Sequence, residues 1–444
     1  MTDLVQEYRI QASSAGDLVR VVEHAVASGE LRPGARLPSV RRLADEVGLS
    51  PATVAAGLAE LRRRGVVITE PRRGTRIGEA PPIGSTLRPP PVPSGARDLS
   101  SGNPDPRLLP DLERALARIE LPERLYGQPA ALQPLLDMAS EQLAGDGIQG
   151  GELCVVSGAL DGIERVLSSW LRPGDRVAVE NPGYAALFDL LRAQGMALEP
   201  APIDELGMTP AGLRAALERG ARAVVLTPRG HNPTGAAFDR HRARELNALL
   251  RQRPDVLLVE DDHLGPVAGA PMHTASAGLA RWAATRSVAK SLGPDLRLAV
   301  LAGDAQTIAR VEGRQQCGPG WVSHVLQSIV IGLWRDTEVA ELIARAEAVY
   351  GERREQLLGC LSERGVPARG SSGLNVWIEV PDEVGVIGRL SQSGWVLAGG
   401  SRYRLPGSAP GVRVTVATLL AEESEQLAED IASALAPAGS VRGG

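Results

Sequence analysis

Residues Ser287 to Arg297 read SVAKSLGPDLR, and this stretch holds the one lysine of the chain. Of 48 basic residues in 444, 47 are arginine and Lys290 stands alone. A guanidinium stays protonated at any accessible pH, whereas an amine can lose its proton and attack a carbonyl. Chance survival of one surface lysine is the bland reading. The neighbours decide against it: Ser287, Gly293, Pro294 and Arg297 surround Lys290 at fixed offsets.

Outward from that stretch, helical patterns alternate with short apolar runs at Cys154–Ser157, Val177–Glu180, Ala223–Leu226, Val256–Glu260 and Leu298–Gly303. Such alternation predicts an α/β body with a mainly parallel sheet covered by helices on both faces. At 444 residues more than one core is expected. Cys154, Cys317 and Cys360 lie far apart, without CxxC spacing, so neither a metal site nor a disulfide framework is expected. The sequence has no long apolar run and no leader-like start, which reads as a cytoplasmic protein with no membrane partner.

The first 79 residues have a different pattern. Leu18, Val21, Val22, Ala25 and Val26 recur at helical spacing up to Gly29. A second helix should follow Pro38 and Ser39 and close at Gly48. A third should start at Pro51, capped by Ser50, and run to about Arg64. Two β-branched stretches, Val66–Thr69 and Thr75–Ile77, flank a basic turn through Arg72, Arg73 and Gly74. Three helices and a basic hairpin make a winged helix-turn-helix. Residues 1–79 carry 12 arginines against 10 acidic side chains, a small excess within a chain of net charge −5. Arrangement, more than charge, therefore points to nucleic acid. Residues 78–98 hold six prolines and three glycines, so 80–98 is read as a semi-stiff linker.

The stretch RPGARLPSVRRL (Arg32–Leu43), followed by Ser50 to Leu61, resembles the GntR-type winged helix-turn-helix across nearly all of residues 16–77. The resemblance implies double-stranded DNA as a partner. The helix from Pro51 would lie in the major groove with the wing on the adjacent backbone. Ser39, Arg41, Ser50, Thr53, Arg72, Arg73 and Gly74 are the implied contacts. Pro51 and Ala55 stand where that family often has basic residues, which shifts the expected readout toward Arg41 and the wing.

SVAKSLGPDLR itself resembles the signature of fold-type I aminotransferases. Lys290 would form the Schiff base with pyridoxal 5′-phosphate, while Ser287 and Arg297 hold its phosphate. Further segments match in order. In VSGALDG (Val156–Gly162) the backbone of Gly158, Ala159 and Leu160 would cradle the phosphate. Tyr184 in ENPGY would stack on the ring. Asn232 in TPRGHNPTG would hydrogen-bond the 3′-oxygen, and Asp261 in VEDDH would pair with the pyridinium nitrogen. Tyr126 would reach the phosphate of a neighbouring subunit, and Arg413 in GVRVTVA would take an effector carboxylate. His263 replaces the tyrosine usual two residues after the aspartate and is placed with the cofactor residues.

A GntR-like head on such a body resembles the MocR/GabR family of bacterial regulators over almost the whole chain. The organisation implied is a head at 1–79, a linker at 80–98 and an effector domain at 99–444. The last divides into an arm and large domain to about 310 and a smaller α+β domain from 311. The resemblance implies a homodimer, head-to-tail, that senses a small amino compound, or the cofactor itself, through aldimine chemistry at Lys290. The alternative is an active aminotransferase with a vestigial head.

Overall fold

The computed structural model describes residues 12–27, 30–32, 34–63, 66–70, 74–78, 92–119, 123 and 125–436. They fall into two compact units, residues 1–88 with 172–176 and 188–198 in one and the rest of the chain in the other.

In the head, α1 (Ala15–Ala27), α2 (Val40–Val47) and α3 (Pro51–Arg63) enclose a core of Leu18, Val22, Leu43, Val54, Leu58 and Leu61. Ser39 caps α2, its Oγ accepting from the Arg42 amide, and Gly48 closes that helix at φ +71°. Ser50 does the same for α3, accepting from the Thr53 amide at 3.1 Å. Strands β1 (Val67–Glu70) and β2 (Gly74–Ile77) pair antiparallel, with Val67 opposite Ile77 and Glu70 opposite Gly74. Gly74 turns at φ +82°, a conformation that favours glycine. Gly29, Arg64, Arg72 and Arg73, and the linker as far as residue 91, lie outside the described residues.

At the end of the linker, the two-residue strand β3 (Arg97–Asp98) is followed by β4 (Glu152–Val156), β5 (Arg176–Asn181), β6 (Ala197–Asp204), β7 (Gly207–Met208), β8 (Ala221–Leu226), β9 (Leu257–Asp262), β10 (Trp282–Ser287) and β11 (Ala299–Gly303). The last eight form one sheet in the order β4-β11-β10-β9-β8-β5-β6-β7. Strands β8, β9 and β10 run parallel, as the buried apolar runs predict. Strand β11 is antiparallel to both β10 and β4, so the sheet is mixed. Residues 288–298 connect β10 to β11 without the long crossover that a parallel return requires.

The C-terminal part carries β12 (Ala368–Arg369), β13 (Asn375–Glu379), β14 (Trp395–Val396), β15 (Ala398–Gly399) and β16 (Gly411–Thr415). A four-stranded sheet of order β12-β13-β16-β15 buries Val376, Ile378, Val412 and Val414 with Leu357, Leu427 and Ile431 from the helices Thr337–Glu363 and Ala421–Leu435. Strand β14 takes β3 as a parallel partner, so Arg97 and Asp98 are fixed to this sheet region. This is the fold-type I aminotransferase architecture with its smaller α+β domain.

Candidate functional site

The carboxyl ends of the parallel strands are where an α/β sheet presents ligand-binding groups, because side chains there are no longer buried between helices. Gly158 follows β4, Tyr184 follows β5 and Asn232 follows β8, while Asp261 and Ser287 end β9 and β10. Strand β16 and the turn after β10 add Arg413 and Lys290.

The Lys290 amine is partly buried and donates to the Gly102 carbonyl at 2.8 Å. Burial, with the Arg413 guanidinium second, pushes it down from 10.5 to about 8. Asp261 is 5% exposed, and among the described residues its Oδ1 has no hydrogen-bond partner. Burial first and Asp262 second push its carboxyl up to about 7. His263 places Nδ1 3.9 Å from Asp261 Oδ2. Burial, then the Lys290 charge, lowers its ring to about 4, so the pair is a neutral imidazole beside an acid and not an ion pair at neutral pH.

Arg413 is 4% exposed. One Nη donates to Asn232 Oδ1 at 2.9 Å and the other to the Ser100 carbonyl. Its guanidinium lies 5.0 Å from the centre of the Tyr403 ring. Tyr184 is half-buried. Burial followed by the Asp261 charge raises its hydroxyl.

At the other end, Gly158 stands at φ +101° before the helix Ala159–Trp170. A Cβ at Gly158 would lie 3.4 Å from the Arg297 guanidinium, whose Nη2 donates to the Ser157 carbonyl at 3.3 Å. The start of the helix that carries the Ala159 and Leu160 amides thus has the Arg297 guanidinium beside Gly158, an arrangement suited to a dianion. Ser287 is buried at the end of β10, and its Oγ accepts from the Ala289 amide at 3.2 Å.

Tyr126 is not brought to this cluster within one chain. It is 91% exposed, set edge-on to Trp321 with ring centres 5.4 Å apart. In the head, Arg41 and Gly74 are exposed, Ser39 and Ser50 serve as helix caps, and Thr53 Oγ1 lies 2.8 Å from Ser50 Oγ.

Sequence reasoning missed three supporting groups. Arg229 and Arg286 both bind Asp262, at 2.9 and 2.8 Å, which holds that carboxyl below its usual range although it is fully buried. His231 bonds Thr234 Oγ1 at 2.8 Å and sits 3.4 Å from Glu180 Oε2. Burial lowers His231 to about 3 and raises Glu180 to about 8, so both are neutral. The third is the pair of backbone carbonyls at Ser100 and Gly102. Arg229 and His231 did carry a signal, since they lie inside TPRGHNPTG beside Asn232.

Comparison with known proteins gives two matches along the chain. Residues 97–431 match the family described as aminotransferase class I and II, and residues 15–77 match the bacterial regulatory proteins of the gntR family. The vitamin B6 salvage pathway transcriptional repressor PtsJ of Salmonella typhimurium is 36% identical over 96% of this chain and 99% of that protein. The HTH-type transcriptional regulator TauR of Rhodobacter capsulatus is 28% identical over 84% and 85%. Among solved structures, the α-aminoadipate aminotransferase LysN of Thermus thermophilus superposes with a TM-score of 0.70 at 24% identity, over 79% of this chain and 94% of that one. The chain belongs to the aminotransferase class I and II family, in the MocR/GabR-type form that carries a gntR-family head.

Proposed function

We propose that the protein is a DNA-binding transcription regulator whose aminotransferase-like body binds pyridoxal 5′-phosphate and reads a small amino compound, or the cofactor itself, at Lys290. One observation carries the reading. The single lysine of a chain that also bears a gntR-family head is a partly buried amine lowered to about 8 with the Arg413 guanidinium acting on it, at the end of the sheet where Asp261 buries an Oδ1 that has no hydrogen-bond partner among the described residues.

The residues present fit the cofactor. A buried carboxylate oxygen without a partner calls for a cation, and a ring nitrogen that can carry a proton supplies one. At the Gly158 and Arg297 cradle the glycine leaves open the space that a Cβ would take 3.4 Å from the Arg297 guanidinium. Pyridoxal phosphate supplies an aldehyde for an amine and an electron-withdrawing ring behind it. The chain supplies the rest. Lys290 is the amine, Asp261 holds a proton at the ring nitrogen, Asn232 and His263 address the 3′-oxygen, and Tyr184 covers the ring. Gly158, Ala159, Leu160, Ser287 and Arg297 hold the phosphate, and Arg413 takes a carboxylate.

In the head, Ser39, Arg41, Ser50, Thr53, Arg72, Arg73 and Gly74 form the DNA-contacting set. The same reading takes 1–79, 80–98 and 99–444 as the functional divisions, with the change to the small domain near 310. It also takes a head-to-tail homodimer in which an exposed Tyr126 reaches its partner's phosphate site, working in the cytoplasm. No helix among the described residues is long and apolar enough to cross a membrane. PtsJ is named for vitamin B6 salvage, which supports a signal drawn from the cofactor's own chemistry.

The test is a mobility shift on DNA upstream of the protein's own gene, with cofactor-free and cofactor-loaded protein. Specific binding that survives competitor DNA and changes with loading supports the regulator. Binding in neither form overturns it. The convergence of Arg413, Asn232 and Lys290 favours transamination as the second reading, and turnover of amino donors with keto-acid acceptors tests that directly.

A further inference from the structure

The backbone that closes over Lys290 and Arg413 is the segment through which the chain leaves the linker. Two carbonyls, two residues apart, take the two cations: Ser100 O accepts from Arg413 Nη2 and Gly102 O accepts from Lys290 Nζ. Gly102 permits this approach. It adopts φ +70°, and a Cβ there would meet the Arg413 guanidinium at 3.3 Å.

Both ends of the segment are fixed. Leu99 is buried in the small-domain core and bonds through its backbone to Val396 and Thr415. Asp105 is held by the Tyr350 hydroxyl at 3.0 Å and by Arg353 at 3.0 Å. Between these points the hold is light. Ser101 and Asn103 are exposed, and among the described residues the Gly102 amide bonds only the Thr415 hydroxyl, at 3.2 Å. Ser100 is tied back to the linker side, since its amide and hydroxyl both donate to Asp98 Oδ1, at 2.8 and 2.6 Å.

We propose that Ser100–Gly102 is a strap that competes with the ligand for Arg413 and Lys290, and that its displacement is the first structural change passed to the linker. The inference rests on the cofactor reading above. A group that engages the Lys290 amine displaces Gly102 O. A carboxylate that takes the second edge of Arg413 displaces Ser100 O, because the first edge is held by Asn232. Ser100 then pulls on Asp98, which is paired in β3 at the end of the linker. The two carbonyls respond separately: an aldehyde condenses with the Lys290 amine, losing water, and frees Gly102 O, whereas an amine adduct that bears a carboxylate frees Ser100 O and leaves Lys290 as an amine.

Hydrogen exchange of the full-length protein tests this, read over residues 97–105. The probes are pyridoxal phosphate alone and N-(5′-phosphopyridoxyl)-L-leucine, each at saturation established by calorimetry. Exchange should rise about fivefold with each, around Gly102 with the first and around Ser100 with the second, the change that losing hydrogen bonds of ordinary strength gives. Unchanged or slower exchange at full occupancy overturns the strap. Asp98→Asn, outside the binding residues, loosens Ser100 without removing a hydrogen bond to either cation; it also removes a charge that acts on Arg413, and Ser100→Ala, which keeps that charge, is the matched control. It should speed exchange in free protein and tighten phosphopyridoxyl-leucine about fivefold. Faster exchange with unchanged affinity overturns the competition. Should that variant fail to fold, Ser100→Ala, which removes only the hydroxyl bond, gives the same readouts. Absence of any binding overturns the cofactor reading and the strap together. Binding with an unmoved strap overturns only the strap.

Discussion

Asp261 and Asp262 are adjacent on β9 and electrostatically opposite: Asp262 is ion-paired to Arg229 and Arg286, while Asp261 Oδ1 has no hydrogen-bond partner among the described residues. Side chains alternate along a strand, so one carboxylate faces an arginine pair and the next faces the candidate ring site. Asp262 also raises Asp261, which makes the second carboxyl more receptive to a cation.

Cofactor-free Asp261→Asn should therefore be more stable than the natural chain at pH 8. The Asp261 carboxyl is raised from 3.8 to about 7, so the folded state holds a proton there that the unfolded state does not. Stability falls as pH rises through that window, on the order of 1.4 kcal/mol per pKa unit at most. The gain from Asp261→Asn should vanish toward pH 4, and cofactor affinity should drop. Chemical denaturation across pH measures this. A variant less stable than the natural chain at pH 8 contradicts it.

Asp262→Asn should do the reverse. It leaves Arg229 and Arg286 buried against one fewer charge, a loss of about 3 kcal/mol or more. Thermal unfolding of the two variants side by side should show Asp262→Asn melting below the natural chain. Equal melting temperatures would remove the ion-pair argument.

Lys290→Ala should abolish covalent cofactor capture and the DNA response to the effector while leaving the fold intact. In the natural protein, cofactor capture should accelerate as pH rises through about 8, where the amine loses its proton. Visible absorbance of bound aldehyde reports both. A normal effector response in Lys290→Ala defeats the reading.

Gly158→Ala puts a methyl against Arg297 at a backbone angle that alanine resists. The fold should lose about 1–2 kcal/mol. Affinity for pyridoxal phosphate should fall more than affinity for pyridoxal, which has no phosphate to seat. Competition binding with the two compounds separates these, and an equal loss would place the phosphate elsewhere.

Arg41→Ala should weaken operator binding and reduce the slope of log affinity against log salt by about one, as loss of one phosphate contact does. Fluorescence anisotropy over a salt series gives the slope. An unchanged slope would move Arg41 off the DNA.

The strand ends were legible because buried parallel strands are apolar until the residue that carries chemistry, as in LLVEDD of β9. The head was legible for a similar local reason: Ser39, Gly48, Ser50 and Pro51 are helix boundary signals readable without tertiary contacts. Strand β10 was harder to see. Its WAATRS is buried throughout yet ends in polar residues, and Arg286 is neutralised by Asp262 and by Asp146, far earlier in the chain. The antiparallel return of β11 depends on how residues 288–298 turn, which no apolar period encodes. The carbonyls of Ser100 and Gly102 were illegible altogether, because backbone oxygens carry no residue signature.

A chain with a single side-chain amine has a further practical property. A protease that cuts only after lysine can divide it at one bond, into residues 1–290 and 291–444. Anything attached to that nitrogen shields the bond, so ligation state becomes readable as the ratio of intact chain to two fragments. Amine-directed dyes likewise have one side-chain address, and the loss of label reports how much of the population is already occupied.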